Sequence, residues 1–349
     1  MADGLVLVTG GTGFLATRCI AQALSEGYRV RTTVRDSDAV ERIREQLTEA
    51  GAPDAAGLEV VIADLTADAG WPDAVAGCSW VLHLASPMPA AQPEDENEVI
   101  VPARDGTIRV LRAARDAGVR RVVVTSSFGA VAYGHKETKR PFTEQDWTNL
   151  GDSTIPPSIK AKTLAEQAAW DFVTREGGDL ELTVVNPVGL FGPVLGPAYS
   201  SAIPLILKLI DGTAPAVLPL SFAVVDVRDA ADLHLRAMTH PAAAGQRFIA
   251  AADDAVGMNE VAEMLRAALG PDGERVPTKQ VPLWMVKAAA KLVPGMGEVS
   301  ANLGRVRHVS SAKAGETLGW TPRSTEETVI ATARSLFDRG LVGVAAIMG

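Results

Sequence analysis

Short, nearly uninterrupted apolar runs alternate with longer segments of helical periodicity through the first half of the chain. Leu5–Thr9, Arg29–Val34, Leu58–Ala63, Trp80–Ala85, Arg121–Ser126 and Leu182–Val185 read as strands, apolar over most of their length as strands covered on both faces are. Between them, apolar positions recur at helical spacing over 14–26, 38–50, 98–117 and 157–176. This alternation predicts right-handed crossovers and a doubly wound parallel α/β sheet. After Asn186 the texture changes, because Gly192, Pro193, Gly196, Pro197, Pro204, Pro215 and Pro219 interrupt the pattern. Residues 1–187 are therefore expected to form one domain and 188–349 mainly a smaller lobe, with 222–238 returning to the first.

The first strand runs into Thr9-Gly10-Gly11-Thr12-Gly13-Phe14-Leu15-Ala16, and a helix follows with Ala16, Ile20, Ala23 and Leu24 on one face. Glycines at this place allow a tight turn and bring backbone amides against a pyrophosphate at the helix N-terminus. Ala16 stands where the common fingerprint has a third glycine, and it is small enough for close packing. A lone glycine motif is weak, but one set between a strand and a helix is expected to hold a dinucleotide through Gly10, Thr12, Gly13, Phe14 and Leu15.

The second strand decides which dinucleotide. NAD sites place an acidic residue near its end to bind the ribose 2′-hydroxyl. Here the run is Val30-Arg31-Thr32-Thr33-Val34-Arg35, with no carboxylate at that position. The Arg35 guanidinium fits a 2′-phosphate bidentately, so NADP(H) is the expected cofactor, with Arg42 and Arg44 as further candidates. Asp64 and Leu65, after the third strand, fall near the adenine, although Asp64 equally suits a turn cap. Ala85 and Ser86 end the fourth strand, at the crevice where doubly wound sheets bind ligands.

Composition narrows the partners. Net charge is −9, from 33 basic and 42 acidic residues without a long basic run, which weighs against nucleic acid or an anionic membrane. Cys19 and Cys78 suit no metal site or disulfide framework, and no other cluster has metal-ligand spacing. The most apolar stretches are short or carry lysines, and no stretch has the order of a signal peptide, so a cytoplasmic protein is expected.

Several further pieces follow one another in a familiar order: His83-Leu84-Ala85-Ser86-Pro87, Val124-Thr125-Ser126-Ser127, Lys162-Thr163-Leu164-Ala165-Glu166, Asn186-Pro187 with Phe191-Gly192-Pro193, and Asp226-Val227-Arg228-Asp229. With the glycine turn, they make the chain resemble the extended short-chain dehydrogenase/reductases, which are Rossmann proteins. The matching branch holds dihydroflavonol reductases, cinnamoyl-CoA reductases and yeast-type aldehyde and ketone reductases. The resemblance implies NADPH-dependent reduction of a small carbonyl substrate by hydride transfer. It also implies a serine that orients the carbonyl, a tyrosine that protonates it, and a lysine one helical turn later that lowers the phenol's pKa. Ser127 and Lys162 take the serine and lysine places. Pro187 and the Val188 amide take the nicotinamide side, and Met88, Phe128, Tyr199 and Phe222 are candidates for an apolar substrate wall or for core. Such proteins are monomers or pair through two long helices, here 98–117 and 157–176.

The tyrosine position holds Ser158. The only tyrosines are Tyr28, Tyr133 and Tyr199, and none has a lysine four residues on. A serine hydroxyl is a far weaker acid than a phenol and falls short of the place of the phenol oxygen. Three readings follow: an engineered inactive reductase, a reductase that relays its proton through a water, or a non-catalytic NADP(H)-binding protein. A sugar-nucleotide epimerase or dehydratase is the remaining alternative, against which stands Lys208 as the only lysine or arginine of the loop 186–225. His83, inside a strand, reads as a satisfied core histidine, and His135 as solvent-exposed.

Overall fold

A computed structural model of the chain describes residues 4–52, 57–87, 95–196, 199–290 and 302–343. In chain order the elements are β1 (Leu5–Val8), α1 (Phe14–Ser25), β2 (Arg29–Val34), α2 (Ala39–Glu49), β3 (Glu59–Ile62), α3 (Trp71–Val75), β4 (Trp80–His83), α4 (Asn97–Asp116), β5 (Arg121–Thr125), α5 (Gly129–Ala132) and α6 (Pro157–Glu176). There follow β6 (Glu181–Pro187), β7 (Gly189–Phe191), α7 (Ile203–Ile210), β8 (Ser221–Phe222), β9 (Val224–Asp226), α8 (Val227–Thr239), β10 (Arg247–Ala250), β11 (Val256–Gly257), α9 (Met258–Ala268) and α10 (Leu283–Ala290), with later helices at Ala312–Leu318 and Thr325–Asp338.

Seven strands form one parallel sheet in the order β10-β6-β5-β4-β1-β2-β3. Val6 lies opposite Val30 on one side and Trp80 on the other, so β1 is central, and all four of its residues are buried. The apolar runs expected to be strands are strands. β10 adds a seventh that the alternation did not announce, because Arg247-Phe248-Ile249-Ala250 is short and follows irregular chain.

The sheet is covered on both faces because each long helix carries an apolar stripe. On one face α1, α2 and α8 bury Ile20, Ile43, Leu47 and Leu233; on the other α3, α4 and α6 bury Trp71, Leu111 and Phe172. A separate core gathers Ile203, Ile206, Val261, Leu265 and Val329 from α7, α9 and the helix Thr325–Asp338. Two small ladders, parallel β7–β9 and antiparallel β8–β11, lie outside the main sheet. Among the described residues no helix is long and apolar enough to cross a membrane.

Candidate active site

Successive crossovers run outward from β1 through β2 to β3, and from β4 through β5 to β6, so the winding reverses between β1 and β4. That reversal opens the crevice in which such sheets hold ligands. Thr9 ties its two walls together. Its Oγ1 accepts from the Leu84 and Ala85 amides at 3.0 Å each, which leaves its hydroxyl proton for His83 Nδ1, also at 3.0 Å. Thr9 escaped the sequence reading, although it directly precedes the first glycine.

Beyond Thr9 the backbone leaves no room for side chains. Gly10 has φ +72°, and a Cβ there would meet the Ala85 Cα at 3.1 Å; one at Gly11 would meet Thr32 Oγ1 at 2.3 Å. The Gly10 and Gly11 amides bond to Thr33, and the Gly13 amide bonds to the Gly10 carbonyl at 2.9 Å. Phe14 and Leu15 open α1, where amides have no intrahelical acceptor. A tight turn of three glycines and a threonine that leads into a helix N-terminus is the cradle a pyrophosphate requires. Thr12 stands half-buried beside it.

Arg35 directly follows β2 and is exposed, whereas Arg42 and Arg44 lie 3.9 and 3.6 Å from Asp36 and Glu41 on the surface. Asp64 Oδ1 accepts from Thr66 Oγ1 at 2.6 Å and Thr66 N at 2.7 Å, so it caps its turn. These bonds, helped by the nearby Arg35 charge, hold its carboxyl below the usual range. Leu65 packs against α4 at Gly106, and its carbonyl accepts from Arg109.

On the other side of the crevice, β5 delivers Ser126 and Ser127, and α6 brings Lys162 against the strand end. Lys162 Nζ donates to the Thr125 carbonyl at 3.2 Å. Burial pushes its ammonium down to about 8, opposed by the Glu166 carboxylate. The half-buried Ser127 Oγ accepts from the Gly129 amide at 3.0 Å. Ser158, one turn before Lys162, is exposed in the first turn of α6, directly after Pro156 and Pro157.

Glu166, one turn beyond Lys162, is 1% exposed. Its Oε1 accepts from Arg247 Nε at 2.6 Å and its Oε2 from Asn186 Nδ2 at 2.8 Å. The Asn186 amide also donates to the Ser127 carbonyl at 3.2 Å. Arg247 lies 3.8 Å over the Trp147 ring and donates to the Glu144 and Asp146 carbonyls. One buried carboxylate therefore supports both the lysine and the serine. The sequence reading missed it, although an acidic residue one turn after a pocket lysine was the available signal.

Two buried histidines flank the strand ends. Burial, reinforced by the Lys162 charge, lowers His83 to about 3. Burial lowers His234 to about 4, its Nδ1 donating to the Ala230 carbonyl at 2.6 Å and its Nε2 lying 2.8 Å from Thr125 Oγ1. A cavity of about 20 Å³ lined by Ser86, Ser126, Lys162 and Glu166 has room for one water.

The nicotinamide and substrate sides need one correction. The Val188 amide, expected to face the carboxamide, donates instead to the Ala250 carbonyl at 3.1 Å, because the unforeseen β10 extends its ladder past Pro187. The Pro187 carbonyl accepts from the Phe128 amide at 2.9 Å. Phe128 belongs to the core, edge-on to Phe142, and Phe222 is half-buried, stacked on Phe191. Tyr199 is exposed, as is His135, and Met88 lies outside the described residues.

Comparison with known proteins agrees with this geometry. The model of the NAD dependent epimerase/dehydratase family matches residues 6–251. Dihydroflavonol 4-reductase of Zea mays is 33% identical, over 99% of this chain and 92% of that protein. Cinnamoyl-CoA reductase 1 of Arabidopsis thaliana is 35% identical, over 80% and 78%. Among solved structures, yeast methylglyoxal/isovaleraldehyde reductase complexed with NADPH superposes with a TM-score of 0.77 at 26% identity, over 96% of this chain and 99% of that one. Vestitone reductase from alfalfa gives 0.76 at 25% identity, over 97% and 99%. The chain belongs to the NAD dependent epimerase/dehydratase family, within its extended short-chain dehydrogenase/reductase branch.

Proposed function

We propose that this chain binds NADP(H) and reduces a ketone or aldehyde by hydride transfer, slowly, because Ser158 stands where a proton donor is needed. The observation that carries the reading is the Lys162 ammonium, held against the end of β5 beside Ser127 and across the crevice from the glycine turn. The α1 N-terminus would receive the pyrophosphate, and Arg35 the 2′-phosphate, beside a strand end where Val34 stands in the place of the acidic residue of an NAD site. The bound dinucleotide supplies hydride to the carbonyl carbon. Lys162 would hold the ribose hydroxyls, Ser127 Oγ would donate a hydrogen bond to the carbonyl oxygen as charge develops on it, and the proton that completes the alcohol would come from solvent water. Residues 1–187 are then the cofactor domain and 188–349 mainly the substrate lobe. The buried free thiols Cys19 and Cys78 support a reducing, cytoplasmic compartment.

The test is a fluorescence titration with NADPH and NADH, followed by ketone-dependent NADPH oxidation before and after Ser158→Tyr. Tighter NADPH binding and a large gain in oxidation are expected. Equal affinity for both dinucleotides, or none for either, overturns the reading. NADPH binding without turnover even in the tyrosine variant would make the protein a non-catalytic NADP(H) binder.

A further inference from the structure

Five residues beyond Ser127, at the end of α5, Ala132 borders a cavity of about 400 Å³ that none of the cofactor or catalytic residues line. Lys136, Arg305 and Arg307 line it with Glu137, Asp152, His135 and Phe142. The whole chain is acidic, yet among the described residues that line this cavity fixed cations outnumber carboxylates three to two. Asp152 accepts from Thr154 N at 2.9 Å and Thr154 Oγ1 at 2.8 Å, and these bonds, helped by the Arg305 charge, hold its carboxyl below the usual range. Arg307 is held in place before any ligand arrives. Its guanidinium lies 3.9 Å over the Tyr133 ring and donates to Asn302 Oδ1 at 2.8 Å, an oxygen that also accepts from the Tyr133 hydroxyl at 3.0 Å. Burial and the charge of Arg305 keep Arg307 below the ordinary arginine range, against the opposing effect of Tyr133, so an anion entering this space would meet two guanidinium groups.

We infer that this cavity takes the oxyanion end, a carboxylate or a phosphate, of the carbonyl substrate, which is therefore an acidic carbonyl compound. The inference rests on the reductase reading. A guanidinium fork and a neighbouring ammonium match the planar oxygens of a carboxylate or the face of a phosphate, and Phe142 suits a carbon chain leading to either. Ala132 closes α5, which starts two residues after Ser127, and four residues of helical rise span about 6 Å, within reach of a short carbon chain whose carbonyl lies at Ser127. Between 186 and 225 the chain carries Lys208 as its only lysine or arginine, so the anion-gripping charge is supplied by two segments far apart in sequence.

The experiment uses the full chain with Lys136→Ala and Arg305→Ala combined, which leaves the Tyr133–Arg307–Asn302 contacts intact. Calorimetric titration with succinate and with inorganic phosphate is expected to show binding to the parent that weakens at least tenfold in the double variant; the tighter probe tells carboxylate from phosphate. In a Ser158→Tyr background, the kcat/KM for a keto acid relative to its methyl ester, or for a phosphorylated keto compound relative to its free alcohol, is expected to fall at least tenfold on the double substitution. If acid and ester are reduced equally well before and after, the inference falls and the reductase reading stands. If neither is reduced, the reductase reading falls, and the titration alone decides whether the cavity binds oxyanions; no difference between parent and variant there overturns the site as well.

Discussion

The turn between β1 and α1 and the first turn of α6 serve the same crevice, but they keep to the family pattern to different depths. At the first, glycines stand where a Cβ would strike Ala85 or Thr32, and Ala16 replaces the third glycine with the next smallest residue. At the second, Lys162 and Glu166 keep their helical spacing, and Ser158, one turn earlier, stands where the proposed mechanism needs a phenol. The difference lies in what each position owes to its neighbours. The turn is bounded on all sides by backbone and buried threonines, so a change there disturbs β1, β2 and β4 together. Ser158 is exposed at a helix start, so its side chain is exchangeable with little effect on packing. On the proposed reading, cofactor binding and proton delivery are separable here, and each can be altered alone.

The sharpest way to exploit that separation is Ser158→Tyr. A positioned general acid contributes about 10²–10⁴ in rate, so steady-state kcat should rise by about that factor while the NADPH dissociation constant stays nearly constant. A gain of only a few-fold would refute the missing-acid account. Arg35→Ala strikes the other half of the comparison. Loss of a charge-assisted bond of about 1.5–3 kcal/mol should weaken NADPH about 10–100-fold and leave NADH unaffected, as competition titrations would reveal. Parallel weakening of both dinucleotides would remove Arg35 from the 2′-phosphate.

Glu166→Gln, made in the tyrosine background, has the smallest effect and the most specific one. Lys162 is protonated below about 8, so the rate it supports declines as pH rises through that value. The Glu166 carboxylate raises that limit, so its removal should move the decline to lower pH. A pH–rate profile lowered everywhere without a shift would make Glu166 a packing residue only.

The sequence announced the six strands and the helices between them, because parallel strands covered on both faces are apolar without interruption. β10 went unseen for want of length, and with it the fate of the Val188 amide. The glycine turn and Arg35 could be proposed from local spacing, and Ser127 and Lys162 from the resemblance that their segments carry. Asn186, Glu166 and Arg247 meet only when β6, α6 and β10 come together, and Lys136 joins Arg305 only across the folded lobe. Nothing in linear spacing marks such encounters.

His83 and His234 give acid an unequal grip on this molecule. Both remain unprotonated in the native state until pH nears 3 and 4, whereas in the unfolded chain each takes up a proton near 6.5. Below 6.5 the unfolded chain therefore carries more protons, and stability declines with acidification, which the melting temperature would register. Over that same interval neither His83, near Lys162, nor His234, bonded to Thr125, adds charge to the crevice. Mild acid should thus erode the scaffold first and leave the electrostatics around the lysine intact for as long as the scaffold stands.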